Sequence, residues 1–272
     1  MNKQGSGFFW FAINNQQVDY AELSCRLANS IKRSSTVGEI AVACDSKTKM
    51  HLQKSEAIDY VIEIPHCVEL VDKPNFLNEW QAFRLTPFLH TIKLESDMLF
   101  VSDVSWWWNL LRQHDLVFSH DCLDIGEHAV KDKKHRRLFL KNSLPNVYNG
   151  LTYFRYCEQA HQFYKICRHL IENWQHVKEN ILTNCHDDLP STDVVYALAN
   201  KILDPLQCNT IKYEFFRMIH FKPHINQTEH GELLDKFITV LEDQKIIIGG
   251  QAIAKPLHYH DKNFNEKIYH AK

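Results

Sequence analysis

Short apolar segments alternate with helix-like segments along the first hundred residues of the chain. Four of the apolar segments have the length and composition of strands, at residues 8–15, 39–45, 60–65 and 91–97. Between the first two, the sequence YAELSCRLANSIKRSS places Leu23, Leu27 and Ile31 on one face of a helix. Strands that alternate with helices favour parallel pairing with right-handed crossovers. We therefore expect an α/β fold, a mostly parallel central sheet flanked by helices.

The later part of the chain continues this pattern with less regular spacing. We predict a strand at 116–120 and another at 146–156, the second interrupted at Asn149–Gly150, where glycine permits a bulge or a close approach to a ligand. We also predict five further helices, at residues 47–57, 78–88, 102–114, 157–177 and 191–203. Ser191 or Thr192 is the natural N-cap of the last one.

The composition is that of a globular protein, with 44% hydrophobic and 24% charged residues. For 272 residues we expect one domain over residues 1–225 and a C-terminal extension over 226–272 packed on it. A formal net charge of −2 argues against broad binding of nucleic acid or anionic membrane. The eight cysteines form no C-x-x-C pair, and no apolar run has the length of a membrane span. We expect free thiols and a cytoplasmic protein.

Polar side chains stand where several of the predicted strands end. Asn14 and Asn15 close the first strand, Asp45 closes the second, and Glu95 and Asp97 close the fourth. Ligands of parallel sheets bind at the carboxyl ends of the strands, so these residues are candidates for a binding site. No turn between a strand and a helix carries a G-x-G-x-x-G or Walker loop. We therefore expect a metal ion to hold phosphates in place of a glycine-rich loop.

The acidic pair Glu95 and Asp97 is the strongest single candidate in the sequence. Residues i and i+2 of a strand point to the same face, so the two carboxylates would repel each other unless a cation separates them. Magnesium and manganese prefer such oxygen ligands and complete their shells with substrate phosphates. The alternative is an ordinary polar strand end, with Asp97 capping the turn that follows.

Three histidines are further candidates, His220 in MIHFKPH and the pair His258 and His260 in PLHYHDK. An H-x-H sequence on a strand puts both imidazoles on one face, as some metal sites require. Lys222 and Lys262 each follow a histidine by two residues and would bring positive charge to a phosphate. The alternative for each of these residues is a surface or core position with no ligand.

Taken in order, these segments resemble a GT-A glycosyltransferase of the type represented by glycosyltransferase family 8 and its glycogenin-like relatives. NEWQAFRLTPFLHTIKLESDMLFVSD is similar to the family's helix and strand leading into the D-x-D motif. YNGLTYF is similar to its NAGVMLF-like strand, and STDVVYALA to the start of its DQD-containing helix. The resemblance covers roughly residues 8–222. It implies a single Rossmann-like GT-A domain.

The resemblance also implies roles for individual residues. Glu95 and Asp97 would be the metal-binding carboxylates of an E-x-D variant of the D-x-D motif, with His220 as the third ligand of Mn²⁺ or Mg²⁺. The shorter HFKP sequence, which lacks the glycine and tryptophan of the family's motif, leaves His258 and His260 as rivals. The residues implied to contact the nucleotide, its phosphates or the sugar are Asn14, Asn15, Asp45, Arg84, Ser96, Asn149, Gly150, Thr192, Asp193, Lys222 and Lys262.

The implied function is transfer of a sugar from a nucleotide-diphosphate donor, with UDP as the expected carrier. The acceptor would be a glycan, a lipid-linked sugar, a protein or a small molecule. A sugar-1-phosphate nucleotidyltransferase is one alternative, but it normally needs a glycine-rich basic loop after the first strand, and AINNQQVDY has none. A binding protein that keeps the fold without turnover is the other alternative. From the residues alone, Arg84 reads as a solvated side chain and Asp193 as a charge that favours its helix dipole.

Overall fold

A computed structural model of the chain describes residues 3–65, 67–68, 76–130, 136–206, 211–222, 225–226, 239–242, 245–248, 250–259, 264 and 269–270. In chain order its strands are β1 (Gln4–Ala12), β2 (Glu39–Cys44), β3 (Tyr60–Glu63), β4 (Phe88–Leu94), β5 (Met98–Leu99), β6 (Leu116–His120), β7 (Val147–Arg155), β8 (Ile219–Phe221), β9 (Thr239–Glu242), β10 (Lys245–Ile248), β11 (Gln251–Ala252), β12 (Leu257–Tyr259) and β13 (Tyr269–His270). Its α-helices are α1 (Tyr20–Ser34), α2 (Ser46–Leu52), α3 (Ala82–Leu85), α4 (Trp107–Leu111), α5 (Arg137–Lys141), α6 (Glu158–Glu172), α7 (Trp174–Asn180) and α8 (Thr192–Leu203), and a 3-10 helix covers Phe76–Gln81.

Six strands form the central sheet in the order β3-β2-β1-β4-β7-β6. The pairs β3–β2, β2–β1 and β1–β4 are parallel, whereas β7 is antiparallel to both β4 and β6. Because β7 runs against its neighbours, its first residues lie at the edge where β4 ends, and Leu94 pairs with Leu151. The predicted α/β fold with a mostly parallel central sheet flanked by helices is confirmed.

Both faces of the central sheet are buried, which explains why its strands are apolar at consecutive positions. Phe8 and Trp10 of β1 pack on one face, in the same cluster as Leu27 of α1. Phe9, between them in sequence, packs on the other face together with residues of α6 and α8, among them Phe163 and Tyr196. Successive side chains of a strand point to opposite faces, so one continuous apolar run supplies both cores.

Several predicted boundaries differ from the observed ones. The fourth strand ends at Leu94, so Glu95 and Asp97 lie in the turn between β4 and β5. The predicted helix at 157–177 is divided at Asn173, whose backbone leaves the helical region and whose side-chain amide donates to the carbonyl of His169. The helices predicted at 47–57, 78–88 and 102–114 overlap the shorter α-helices α2, α3 and α4, and the 3-10 helix directly precedes α3. Helix propensity is a weak prior that local hydrogen bonds and packing override.

A second, three-stranded sheet joins parts of the chain that are far apart in sequence, in the order β5-β12-β8. Strand β12 is antiparallel to β5 and parallel to β8. The backbone N–H of Tyr259 donates to the carbonyl of Asp97 at 3.1 Å, which ties β12 to the acidic turn. Apolar side chains of β8 and β12 pack with Leu23 and Leu99 in a third core cluster. The described part of the predicted extension 226–272 therefore contributes a strand beside the acidic turn.

Within the described residues, none of the helices combines the length and the apolar character that a membrane crossing requires. No disulfide joins any of the seven cysteines in that part of the chain.

Candidate metal centre

Glu95, Asp97 and His258 meet at the end of β4. The Nε2 atom of His258 lies 3.1 Å from Oε2 of Glu95 and 3.3 Å from Oδ2 of Asp97. One ligand atom from each of the three residues falls within 4.8 Å of the other two. The turn after β4 supplies both carboxylates, and β12 supplies the imidazole. Pairing of β12 with β5, directly after the acidic turn, brings the two together.

The cluster is mostly shielded from solvent but remains open on one side. The side chains of His258 and Asp97 are 11% and 10% exposed, whereas that of Glu95 is 24% exposed. Burial lowers the pKa of His258, but the carboxylates of Asp97 and Glu95 outweigh burial and raise it above its ordinary value. The site therefore favours a positive charge between its two carboxylates.

These three residues fit a divalent cation. Two carboxylate oxygens and one imidazole nitrogen suit Mn²⁺ and similar borderline-hard ions, which accept both types of donor. Adjacent ligand atoms around an ion with bonds near 2.1 Å lie about 3 Å apart, close to the separations observed here. A cation in this position would supply the positive charge that the carboxylates require.

Of the two candidate histidines that the structure describes, His258 is the one whose nitrogen contacts both carboxylates. His220 is its register partner on β8, with the two ring centroids 4.7 Å apart and the rings at 82°. His220 thus lies against the imidazole of His258 and is itself buried. His260 lies outside the described residues. The geometry favours the rival His258 over His220 as the third ligand.

Asn149 and Gly150, near the start of β7, lie beside Glu95. The side-chain amide of Asn149 donates to Oε1 of Glu95 at 3.0 Å. A Cβ atom at position 150 would lie 2.8 Å from Oε2 of Glu95, so only glycine leaves this carboxylate where it is. The pairing of β6 with β7 shifts here, from Thr152 to Tyr148. The predicted irregularity at Asn149–Gly150 is therefore present, and a close approach of Gly150 to a ligand stays a prediction.

Asp193 is connected to this group through Asn149. Its Oδ1 atom accepts the backbone N–H of Asn149 at 2.9 Å, and Oδ2 lies 3.2 Å from Nη1 of Arg136. The guanidinium of Arg136 is buried between the rings of Phe139 and Tyr148. Thr192, the first residue of α8, immediately precedes Asp193. The structure thus brings Asp193 and Asn149 to the acidic turn.

Asn14, Asn15 and Asp45 lie at the carboxyl ends of β1 and β2, along the same edge of the sheet. Asn14 accepts the backbone N–H of Ala21 through Oδ1 at 2.9 Å, and Asp45 accepts that of Thr48 at 3.0 Å. Asn15 makes similar local bonds within its own turn. These side chains cap the starts of helices and turns, and their contact with a nucleotide stays a prediction.

Arg84 is not brought to this site. It is exposed at the end of α3, and its carbonyl accepts a hydrogen bond from Lys3, which precedes β1. This places Arg84 at the opposite edge of the sheet, because the seven residues of β4 separate the two ends by about 23 Å. The position of Arg84 does not support the contact with the donor that the resemblance implies, and that contact stays a prediction.

Three candidates from the sequence remain, and the structure describes two of them. Ser96 lies between the two carboxylates in the turn and is buried. Lys222 directly follows β8. Its positive charge lies near enough to His258 to lower the pKa of that histidine. Lys262 lies outside the described residues.

Two buried charged residues beside the site were not predicted from the sequence. Lys93 of β4 is fully buried and forms an ion pair with Glu79 of the 3-10 helix. Oε2 of Glu79 also accepts the side-chain amide of Asn149 at 3.1 Å. Burial raises the pKa of Glu79, and the Lys93 ammonium opposes that rise. A lysine in the otherwise apolar segment TIKL was the available signal, but nothing in the sequence identified its partner.

Comparison of the chain with protein-family models and with curated protein sequences found no match, so the functional assignment rests on the chemistry of this site.

Proposed function

We propose that this protein is a metal-dependent glycosyltransferase that moves a sugar from a nucleotide-diphosphate donor, with UDP as the expected nucleotide. The observation that carries the proposal is the convergence of Glu95, Asp97 and His258 at the carboxyl edge of the sheet. In open α/β sheets ligands bind at that edge, and the described strand ends there carry polar side chains but no glycine-rich loop. The resemblance to family 8 supports the same reading.

Glu95, Asp97 and His258 are the residues that would hold the metal ion. A bound Mn²⁺ or Mg²⁺ would bind the donor diphosphate and neutralise the charge that develops on it as it leaves. The partial exposure of Glu95 gives the diphosphate access to the otherwise shielded site.

Other residues of the chain would orient the donor. Lys222 lies near His258 and would add positive charge beside the phosphates. Thr192 and Asp193 at the start of α8 would hold sugar hydroxyls, since Asp193 is already fixed by the backbone of Asn149 and by Arg136. Holding donor and acceptor in a fixed arrangement supplies a large part of the rate in such transfers.

Calorimetric titration with UDP, in the presence and absence of Mn²⁺, tests the proposal. We expect the wild type to bind UDP only with Mn²⁺, and Asp97→Asn to lose more than about tenfold in affinity, because even residues behind a metal ligand contribute that much. Asp188→Asn, which changes an exposed aspartate, serves as the matched control and should bind like the wild type. Failure of UDP and GDP to bind with metal present would contradict the proposal.

A hydrolysis assay then separates a transferase from a binding protein with the same fold. UDP-sugars would be incubated with the wild type with Mn²⁺ or with a chelator, and release of UDP would be measured. Metal-dependent release supports an enzyme, whereas tight UDP binding without any release across a panel of donors supports the binding protein.

A further inference from the structure

Lys93 occupies an unusual position for a charged residue. Its side chain is fully buried in β4, and its ammonium contacts the Glu79 carboxylate, the carbonyl of Asn149 at 3.3 Å and the face of Tyr196 at 5.5 Å. Taking such a pair out of water costs free energy that an apolar pair of the same volume would not cost. Fold stability is therefore a poor explanation for the Lys93–Glu79 pair, and its surroundings indicate another one.

Asn149 connects this pair to the metal centre. Its amide nitrogen lies 3.1 Å from Oε2 of Glu79 and 3.0 Å from Oε1 of Glu95, so its two N–H groups serve two carboxylates. The opposite orientation of the amide would turn its oxygen toward both anions, so the orientation is determined. Lys93 neutralises Glu79 and allows a second carboxylate to lie on the other side of Asn149.

One carboxylate oxygen of Glu95 is consequently fixed by a hydrogen bond, and the other faces the metal position. Oε1 accepts from Asn149, while Oε2 faces His258 at 3.1 Å. A glutamate has one more rotatable bond than an aspartate at the same position, so it loses more conformational freedom when it binds an ion. A hydrogen bond that fixes the carboxylate beforehand removes part of that cost.

We propose that the buried Lys93–Glu79 pair is a positioning device for the metal centre: it orients Asn149, and Asn149 holds Glu95 with Oε2 directed at the metal position. This inference rests on the proposed function, because it requires a metal at Glu95, Asp97 and His258. Glu79 and Lys93 act through Asn149 and contact neither metal nor donor.

The test measures Mn²⁺ affinity, by electron paramagnetic resonance of free Mn²⁺, in variants that keep side-chain length. Lys93→Met with Glu79→Met removes both charges and the acceptor for Asn149 without leaving a lone buried charge. We expect this double variant to fold and to bind Mn²⁺ 10–100-fold more weakly, the usual effect of losing a residue behind a metal ligand. Lys93→Met with Glu79→Gln keeps an oxygen acceptor for Asn149 and should recover most of that loss.

Two further measurements separate positioning from general damage to the fold. The double variant Arg155→Met with Asp115→Asn removes a more exposed ion pair at the far end of β7 and should leave Mn²⁺ affinity unchanged. Asn149→Ala alone should weaken binding, and adding the Lys93→Met and Glu79→Met changes to it should weaken binding little further.

The outcomes distinguish this inference from the proposed function. Unchanged Mn²⁺ affinity in the folded Lys93→Met, Glu79→Met variant would overturn the positioning role alone. Fully additive losses with Asn149→Ala would overturn it as well, because they would show that the pair does not act through Asn149. A wild type that binds no Mn²⁺ would overturn both proposals.

Discussion

Gly150 is the residue on which the position of Glu95 most directly depends. The missing side chain leaves space that the Glu95 carboxylate fills, and a Cβ there would come within 2.8 Å of Oε2. The atom it would displace is the far end of a flexible side chain, so Glu95 would move while the backbone stays in place. A substitution at this position therefore separates the metal site from the fold.

We predict that Gly150→Ala weakens Mn²⁺ binding by about tenfold or more, while the free energy of unfolding changes by only about 1 kcal/mol. Calorimetry with Mn²⁺ and urea denaturation of the same preparation provide the two measurements. Gly126→Ala is the matched control, because its Cβ would contact the exposed ring of His128 at 2.7 Å. Equal Mn²⁺ affinity in the wild type and Gly150→Ala would contradict the placement of Glu95 in the site.

Strand β6 ends at a buried histidine whose protonation differs between the folded and the unfolded chain. His120, its last residue, is buried, and its Nε2 has no hydrogen-bond partner among the described residues. Burial is the main cause that lowers its pKa to about 4, the charges of Lys212 and Arg217 act in the same direction, and Asp121 opposes them. The folded protein therefore keeps the His120 imidazole neutral at pH values where an exposed histidine is charged.

We predict that His120 makes the protein less stable as the pH falls from 6.5 towards 4. The unfolded chain takes up the proton near pH 6.5 and the folded chain only near about 4, so the stabilisation is complete above 6.5 and is lost below it. The loss amounts to at most about 1.4 kcal/mol per pH unit. Urea denaturation across this range should show a shallower decline for His120→Gln than for the wild type. A parallel decline in both proteins would exclude this role, and His128→Gln, at an exposed histidine, should resemble the wild type.

At the level of elements, long amphipathic patterns predicted the bounds of helices well, and short patterns did not. Helix α1 and helix α8 follow their predictions to within one residue, because each has a periodic apolar face over several turns. The division between α6 and α7 at Asn173 was missed, because the apolar pattern continues through it. The backbone of Asn173 leaves the helical region at this point, and its side-chain amide donates to the carbonyl of His169.

On the scale of the whole molecule, the candidate site links the central sheet to the C-terminal part of the chain. Glu95 and Asp97 come from the turn after β4, and His258 comes from β12, which is held by β5 and β8. A metal bound by all three residues would therefore add a connection between segments that also meet through three short strands and an apolar cluster.

We predict that Mn²⁺ stabilises the protein against heat. At a free Mn²⁺ concentration a hundred times its dissociation constant, the gain is about 2.7 kcal/mol, which corresponds to a rise in Tm of about 5–10 °C. Differential scanning calorimetry with Mn²⁺ and with a chelator would measure it. His258→Ala should lose the metal-dependent rise, and Asp188→Asn should retain it. An equal rise in His258→Ala would show that the ion binds elsewhere.

The sequence by itself determined the α/β architecture, the two carboxylates that follow the fourth strand and an irregularity at Asn149–Gly150, since strand periodicity and residue type are local properties. The tertiary structure alone decided that His258 contacts those carboxylates, that Arg84 lies at the opposite edge, and that Lys93 and Glu79 form a pair behind Asn149. Those relations depend on which strands become neighbours. Pairing of β12 with β5 and of β7 with β4 is set by packing over long sequence separations, and no local pattern records it.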